Sequence, residues 1–348
     1  VNAGVSAVAP GQLDLAVLEP YLRGCGVPIA GTLRASVIKG GRSNLTYRLE
    51  DGQHVWVLRR PPGAGVTPSA HNVGREFRVM SALQQTAMPV PRTVHDCRDD
   101  SVIGAPFTVV DFSEGSVLRT RTELAAISDR LVGEIHWELI RVLALLHSLP
   151  YDELGLSDFG RPNGFVNRQI ELWRRQWDHV ATGDLNDVDR LYQALVRSPP
   201  PQSRFSIVHG DFRVDNALID VTTGQMTALV DWEMATIGDP LTDVAMMCAY
   251  QHPSFDYVVG EPAASTSERW PSPDAIARHY ADEVGVNLDG WGRYLALAHF
   301  KLAVIAEGIA ARYRAGIGEG AGFDTAHRAV PELIASGLRF MAADGGST

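Results

Sequence analysis

The sequence predicts an α+β protein of two lobes. Residues 13–113 form an N-terminal lobe of antiparallel sheet with one helix, and residues 114–344 form a larger, mainly helical lobe. Three observations carry this. Short runs with strand-like alternation dominate the first third, at 36–49, 55–59 and 105–112. After Gly115 apolar residues recur at steps of three and four. Between 205 and 230, short apolar runs alternate with turn residues. At 348 residues the chain can bury a sizeable core and divide into two lobes.

The elements follow in order. Residues 1–12 and the Gly345-Gly346-Ser347-Thr348 end read as loose termini. Ser36-Val37-Ile38, the small-residue stretch Lys39 to Asn44 and Leu45 to Leu49 read as strand, loop, strand. Such a loop can bring backbone N–H groups close to phosphates, and it can equally be a plain hairpin. Val55 to Arg59 is the next strand, ending at Arg60-Pro61-Pro62. A helix runs from about Ser69, its N-cap candidate, to Gln85, with Val73, Phe77, Met80 and Leu83 as the apolar stripe and Glu76 at its edge. Ala105 to Phe112 is a buried-type strand ending at Ser113-Glu114-Gly115. In the second lobe Glu134 to Leu149 and Phe165 to Trp177 are helical. His136 and His147 read as core-edge or capping residues. Residues 252–275 break the pattern as a long loop, and helices at Asp274 to Val284 and Gly290 to Arg314 close the lobe.

Composition bounds the function. A formal net charge of −10 and a pI near 5.5 argue against nucleic acid or an anionic membrane as partner. The three cysteines, Cys25, Cys97 and Cys248, have no metal or redox spacing, so a reducing cytoplasm is the simplest compartment. No uncharged apolar run approaches about 18 residues, so no membrane-spanning helix is expected.

The chemistry concentrates in two runs. Ile207 to Asn216 contains His209, Asp211 and Asn216 in the pattern H-x-D-x-x-x-x-N, and Asp231-Trp232-Glu233 follows. The run at 205–208 is β-like, so His209 to Asp211 lie on a turn after a buried strand. A hairpin through 217–219, the turn at Gly224 and 227–230 returns the chain to Asp231. Phosphoryl transfer from a nucleotide needs a carboxylate near the attacking hydroxyl, oxygen ligands for Mg²⁺, and positioning. Asp211 is of the right type for the first task, and Asn216 and Asp231 for the second.

Together with Gly238-Asp239-Pro240-Leu241-Thr242-Asp243 these motifs resemble the aminoglycoside phosphotransferase family, a branch of the protein-kinase-like fold that includes domains fused to acyl-CoA dehydrogenases. The resemblance spans roughly residues 30 to 315 and implies a bilobal kinase-like fold. It implies that Gly40, Gly41, Ser43 and Asn44 position a nucleotide, ATP or GTP, with Mg²⁺. It places Arg59 where the family carries a phosphate-gripping Lys, and Glu76 as that base's helix partner. The backbone around Asp111 and Ser113 would meet the purine, and Asp239 and Asp243 would brace the catalytic loop. Glu233 is open between a metal ligand and an N-cap. Only five residues separate Glu233 from Asp239, with no room for the segment that holds a protein substrate. The expected acceptor is therefore a small hydroxylated molecule, walled by 160–180 and 252–275. An aminoglycoside acceptor and a nucleotide-binding pseudokinase are the alternatives.

Overall fold

The computed structural model describes residues 13–38, 44–61, 72–182, 186–317 and 320–345. Contacts divide the chain into two compact units, Val1–Glu114 with Ala228–Glu233, and Gly115–Thr227 with Met234–Thr348.

The first unit opens with helix α1 (Leu15–Gly24), capped by the Asp14 carboxylate. Strands β1 (Arg34–Val37), β2 (Leu45–Glu50) and β3 (Val55–Arg60) precede helix α2 (Val73–Leu83), and β4 (Thr93–Cys97) and β5 (Phe107–Asp111) complete the unit. The five strands form one sheet in the order β1-β2-β3-β5-β4, with every pairing antiparallel. Tyr47, Leu49, Trp56, Leu58, Phe107 and Val109 share a core with Leu18 and Leu22 of α1. Alternation along β3 sends Trp56 and Leu58 into that core, so Arg59 faces the other way.

One boundary differs from expectation, and three helices are additional to it. The helix expected from Ser69 starts at Val73, because Asn72 accepts from the Arg75 N–H and takes the N-cap role. Ser69 itself lies outside the described residues, as do Gly40, Gly41 and Ser43. Helices α1, α6 (Asn186–Arg197) and α11 (Ala329–Gly345) lie beyond the elements read from the sequence. In α6 the signal was there: Val188, Leu191 and Leu195 are spaced along one face and buried.

The second unit is helical. Besides α6 and α11 it contains α3 (Arg121–Ala125), α4 (Asp129–Ser148), α5 (Phe165–Val180), α7 (Leu241–Ala249), α8 (Phe255–Val259), α9 (Pro273–Val284) and α10 (Trp291–Arg314). The stretch 252–275 is therefore not one long loop, since it contains α8 and a 3-10 turn at Ala264–Thr266. Helix α10 packs on α5, α6, α7 and α11. By length and composition it is apolar enough to cross a membrane, although it carries Lys301 and Glu307. However, 78% of that apolar window is buried, as in a core helix. One small ladder completes the unit, β6 (Ser206–Val208) paired antiparallel with β9 (Thr236–Gly238), and β7 (Ala217–Ile219) and β8 (Met226–Leu229) form a further two-stranded sheet.

Candidate active site

In the second unit, β6 ends at Val208 and delivers His209, Gly210 and Asp211 into a tight loop. Gly210 takes φ +83°, and a Cβ there would lie 2.7 Å from the Met234 carbonyl oxygen, so only glycine fits. Asp243, in the first turn of α7, clamps this loop. Its Oδ2 accepts the His209 N–H at 2.6 Å and its Oδ1 accepts the Gly210 N–H at 2.8 Å. Burial works to raise the Asp243 carboxyl, but the hydrogen bond from His147 and the backbone donors hold it below the ordinary carboxylate range. Burial keeps His147 neutral, so its 3.3 Å contact with Asp243 is a hydrogen bond and not an ion pair. Its other nitrogen meets the Tyr280 hydroxyl at 2.7 Å. His147 is thus a fully buried part of the clamp, where the sequence suggested a core-edge or capping residue. Asp239 braces one step earlier. It accepts from the Ser203 N–H and hydroxyl, the Leu241 N–H and the Tyr294 hydroxyl, and so holds the segment entering β6, not the His209–Asp211 loop itself. Lys301 of α10, which sequence reasoning missed, donates to the Gly210 carbonyl at 2.7 Å and lies 5.4 Å over the Trp173 ring.

The Asp211 carboxylate, 24% exposed, is held on both oxygens. Tyr250 donates to Oδ1, and Asn216 Nδ2 donates to Oδ2 at 3.1 Å and to the Asp211 carbonyl at 2.9 Å. Arg213 Nε lies 3.3 Å from Oδ2 without hydrogen-bond alignment. Burial would raise this carboxyl, but Arg213 and the Tyr250 hydroxyl, helped by Lys301 and His209, bring it below the ordinary range. Asp211 is therefore ionised at neutral pH, as a proton acceptor must be. With its NH₂ committed, Asn216 has its amide oxygen left to face a cation.

Next to Tyr250 and Arg213, which contact this carboxylate, lies a small cavity of about 20 Å³, lined by Leu139, Arg213, Val214, Met247, Tyr250, Gln251, Ser265 and Trp270. Ser265 and Trp270 come from the expected 252–275 stretch, but no residue of 160–180 lines it. In that stretch Phe165, Val166, Ile170, Trp173 and Trp177 are buried in packing. The lining has one cation and no carboxylate.

In the first unit the structure joins Arg59, Glu76, Asp231 and Glu233. Trp232 is fully buried with its indole N–H on the Leu229 carbonyl, and the Leu229 N–H donates to Pro89; these contacts anchor 228–233 there. Asp231 takes φ +69°, alone among the described non-glycine residues, a cost tolerated where a side chain must be aimed. Arg59 Nη2 lies 3.3 Å from Glu76 and 3.4 Å from Asp231. The contact to Glu76 has ion-pair distance but not hydrogen-bond alignment, and both Glu76 oxygens are buried without a hydrogen-bond donor. Burial, with Asp231 and Glu233 adding repulsion, outweighs Arg59 and pushes Glu76 up to about 7. Glu76, Asp231 and Glu233 each offer an oxygen within 4.8 Å of the others. Hard oxygen donors with an under-satisfied buried carboxylate fit a divalent cation such as Mg²⁺. Asn44 is buried with neither amide atom hydrogen-bonded, a donor available to a phosphate. The N–H groups of Asp111 and Phe112 already donate to Arg92 and Val55, and the Asp111 carboxylate pairs with Arg92 at 2.7 Å. Of the expected purine contacts, those two N–H groups are committed to the sheet.

An antiparallel sheet unit carrying a buried Arg–Glu pair, and a helical unit carrying a clamped H-G-D loop, define a small-molecule phosphotransferase of the protein-kinase-like fold. The chain belongs to the phosphotransferase enzyme family, whose model matches residues 34–281. It is similar to acyl-CoA dehydrogenase family member 11 of Homo sapiens, 33% identical over 305 residues, covering 86% of this chain and 39% of that protein. Family member 10 of Mus musculus is 32% identical over 91% of this chain and 30% of its own length. The chain thus spans well under half of these relatives. Among solved structures, a candidate aminoglycoside phosphotransferase from Ralstonia eutropha JMP134 shares 30% identity at TM-score 0.82, covering 95% of this chain and 99% of that one. Aminoglycoside phosphotransferase APH(4)-Ia in ternary complex with AMP-PNP and hygromycin B matches at TM-score 0.59 and 16% identity, over 90% of this chain and 95% of that one, a likeness of fold alone.

Proposed function

We propose that the chain transfers the γ-phosphoryl group of ATP or GTP to a hydroxyl of a small metabolite. The observation that carries this is the Asp211 carboxylate, ionised, partly exposed, and fixed on a loop clamped by Asp243. Asp211 orients the acceptor hydroxyl and takes its proton as the phosphoryl group moves. Arg59 and Asn44 serve the nucleotide phosphates. Mg²⁺, when bound, neutralises charge developing on those phosphates. Asp231 in the first unit and the Asn216 amide oxygen in the second are the residues offered to it, each on its own local geometry. Glu76 stays beside Arg59. The free cysteines fit a reducing compartment, and we place the activity in the cytoplasm.

The pocket argues for the acceptor's chemistry. A polycationic aminoglycoside calls for inward carboxylates, whereas this lining is apolar with Arg213. Relatives named for acyl-CoA dehydrogenation favour an acceptor with an acyl-like arm, by analogy. The aminoglycoside reading draws on the Ralstonia eutropha neighbour's description. A pseudokinase reading draws on Arg59 in place of Lys. One experiment separates the three: a screen of hydroxylated acids, other metabolites and aminoglycosides for nucleoside diphosphate release, at low and physiological salt, with Asp211→Asn as control. A metabolite turned over by the wild type and lost about 10²-fold in the variant supports the proposal. Efficient, salt-sensitive phosphorylation of an aminoglycoside overturns the acceptor assignment. Nucleotide binding without turnover of any acceptor, water included, supports the pseudokinase.

A further inference from the structure

We propose that Tyr250 is a positioning residue for phosphoryl transfer, holding the Asp211 carboxylate at the angle from which it meets the acceptor. This rests on the phosphotransfer reading above. The chain places Tyr250 at the C-cap of α7, the helix whose first turn supplies the Asp243 clamp. One rigid element therefore fixes both the loop backbone, through Asp243, and the loop's reactive side chain, through Tyr250. The Tyr250 hydroxyl donates to Asp211 Oδ1 while Asn216 holds Oδ2. With a donor on each oxygen the carboxylate cannot turn about its Cβ–Cγ bond, and its remaining lone pairs keep one direction.

A buried tyrosine hydroxyl needs some acceptor, so satisfaction alone is the rival explanation. Tyr280 and Tyr294 show what that looks like: their hydroxyls meet His147 and Asp239, which brace backbone. Tyr250 differs in two ways. Its partner is the carboxylate that takes the proton, and its ring lines the pocket beside Asp211. A molecule seated there touches the ring whose hydroxyl sets the carboxylate, so substrate position and carboxylate orientation are coupled. The other groups facing Asp211 are Arg213, His209 and Lys301, with Asp215 paired to Arg213 at 3.2 Å. Burial holds the Tyr250 phenol well above its ordinary range, so it remains a neutral donor.

The test uses the full chain with Mg·ATP and water as acceptor, read as phosphate release. In that step the water oxygen bonds to the γ-phosphorus, the bond to the β,γ-bridging oxygen breaks, and the proton passes to Asp211 and on to solvent. Tyr250→Phe keeps the ring and removes one hydroxyl. We expect kcat to fall about tenfold with KM for ATP within about twofold. In an Asp211→Asn background the same change has no further effect. 3-Fluorotyrosine placed at position 250 alone keeps the hydroxyl donor and should keep kcat within about twofold of wild type, and it serves if the Phe variant folds poorly. A kcat equal to wild type in Tyr250→Phe, or an equal loss in the Asp211→Asn background, overturns the positioning role. Absence of any phosphate release by the wild type overturns the phosphotransfer reading instead.

Discussion

Replacing Asp243 by Asn tests whether a single carboxylate holds the His209–Asp211 loop. In the wild type its two oxygens serve two consecutive backbone donors, at 2.6 and 2.8 Å, with His147 as a third donor at 3.3 Å. Asn keeps one oxygen and turns an NH₂ toward the other donor. One buried N–H then has no acceptor, at about 1–3 kcal/mol, and the remaining hydrogen bond loses its charge assistance, about 1 kcal/mol more. A stability loss of about 2–4 kcal/mol is expected, measured as the urea midpoint followed by tryptophan fluorescence. The pH dependence carries a sign. Asp243 has a depressed carboxyl in the fold, so its contribution is full above the ordinary carboxylate value and is lost as pH falls through the folded one. The Asn variant should lack that acid-side loss. A variant within about 0.5 kcal/mol of wild type at neutral pH, still losing stability in acid with the wild-type profile, would refute the clamp.

Two further outcomes follow from the first unit. Glu76, raised to about 7 from 4.5, stabilises the fold fully below pH 4.5 and loses that contribution as pH rises through 7. Glu76→Gln should remove this decline, worth roughly 3 kcal/mol at about 1.4 kcal/mol per pH unit, and unfolding curves that stay parallel to wild type from pH 5 to 8 would contradict it. Asp231→Ala should abolish the stabilisation by Mg·ATP, about 2.7 kcal/mol at a hundredfold excess over Kd, and an unchanged thermal shift would remove Asp231 from the metal.

The sequence by itself determined the sheet-rich first third and the helical remainder, and it singled out Asp211, Asn216, Asp231, Arg59 and Glu76 as candidate site residues. Each of these rests on local order: alternation along β3 turns Arg59 away from Leu58, and the spacing in α2 brings Glu76 to meet it. What tertiary structure decided is which distant groups meet those residues. His147, Tyr250 and Lys301 sit on α4, at the end of α7 and on α10, tens of residues from the loop they serve. No periodicity marks a tyrosine or lysine that faces a particular carboxylate, because that depends on how helices pack and not on spacing within one. The left-handed backbone at Asp231 is of the same kind. An Asp can adopt many conformations, and contacts such as the buried Trp232, the Leu229–Pro89 hydrogen bond and the Arg59 pair hold this one. Sequence order marks which side chains are candidates for the chemistry, while the packing of remote elements fixes their direction and charge state.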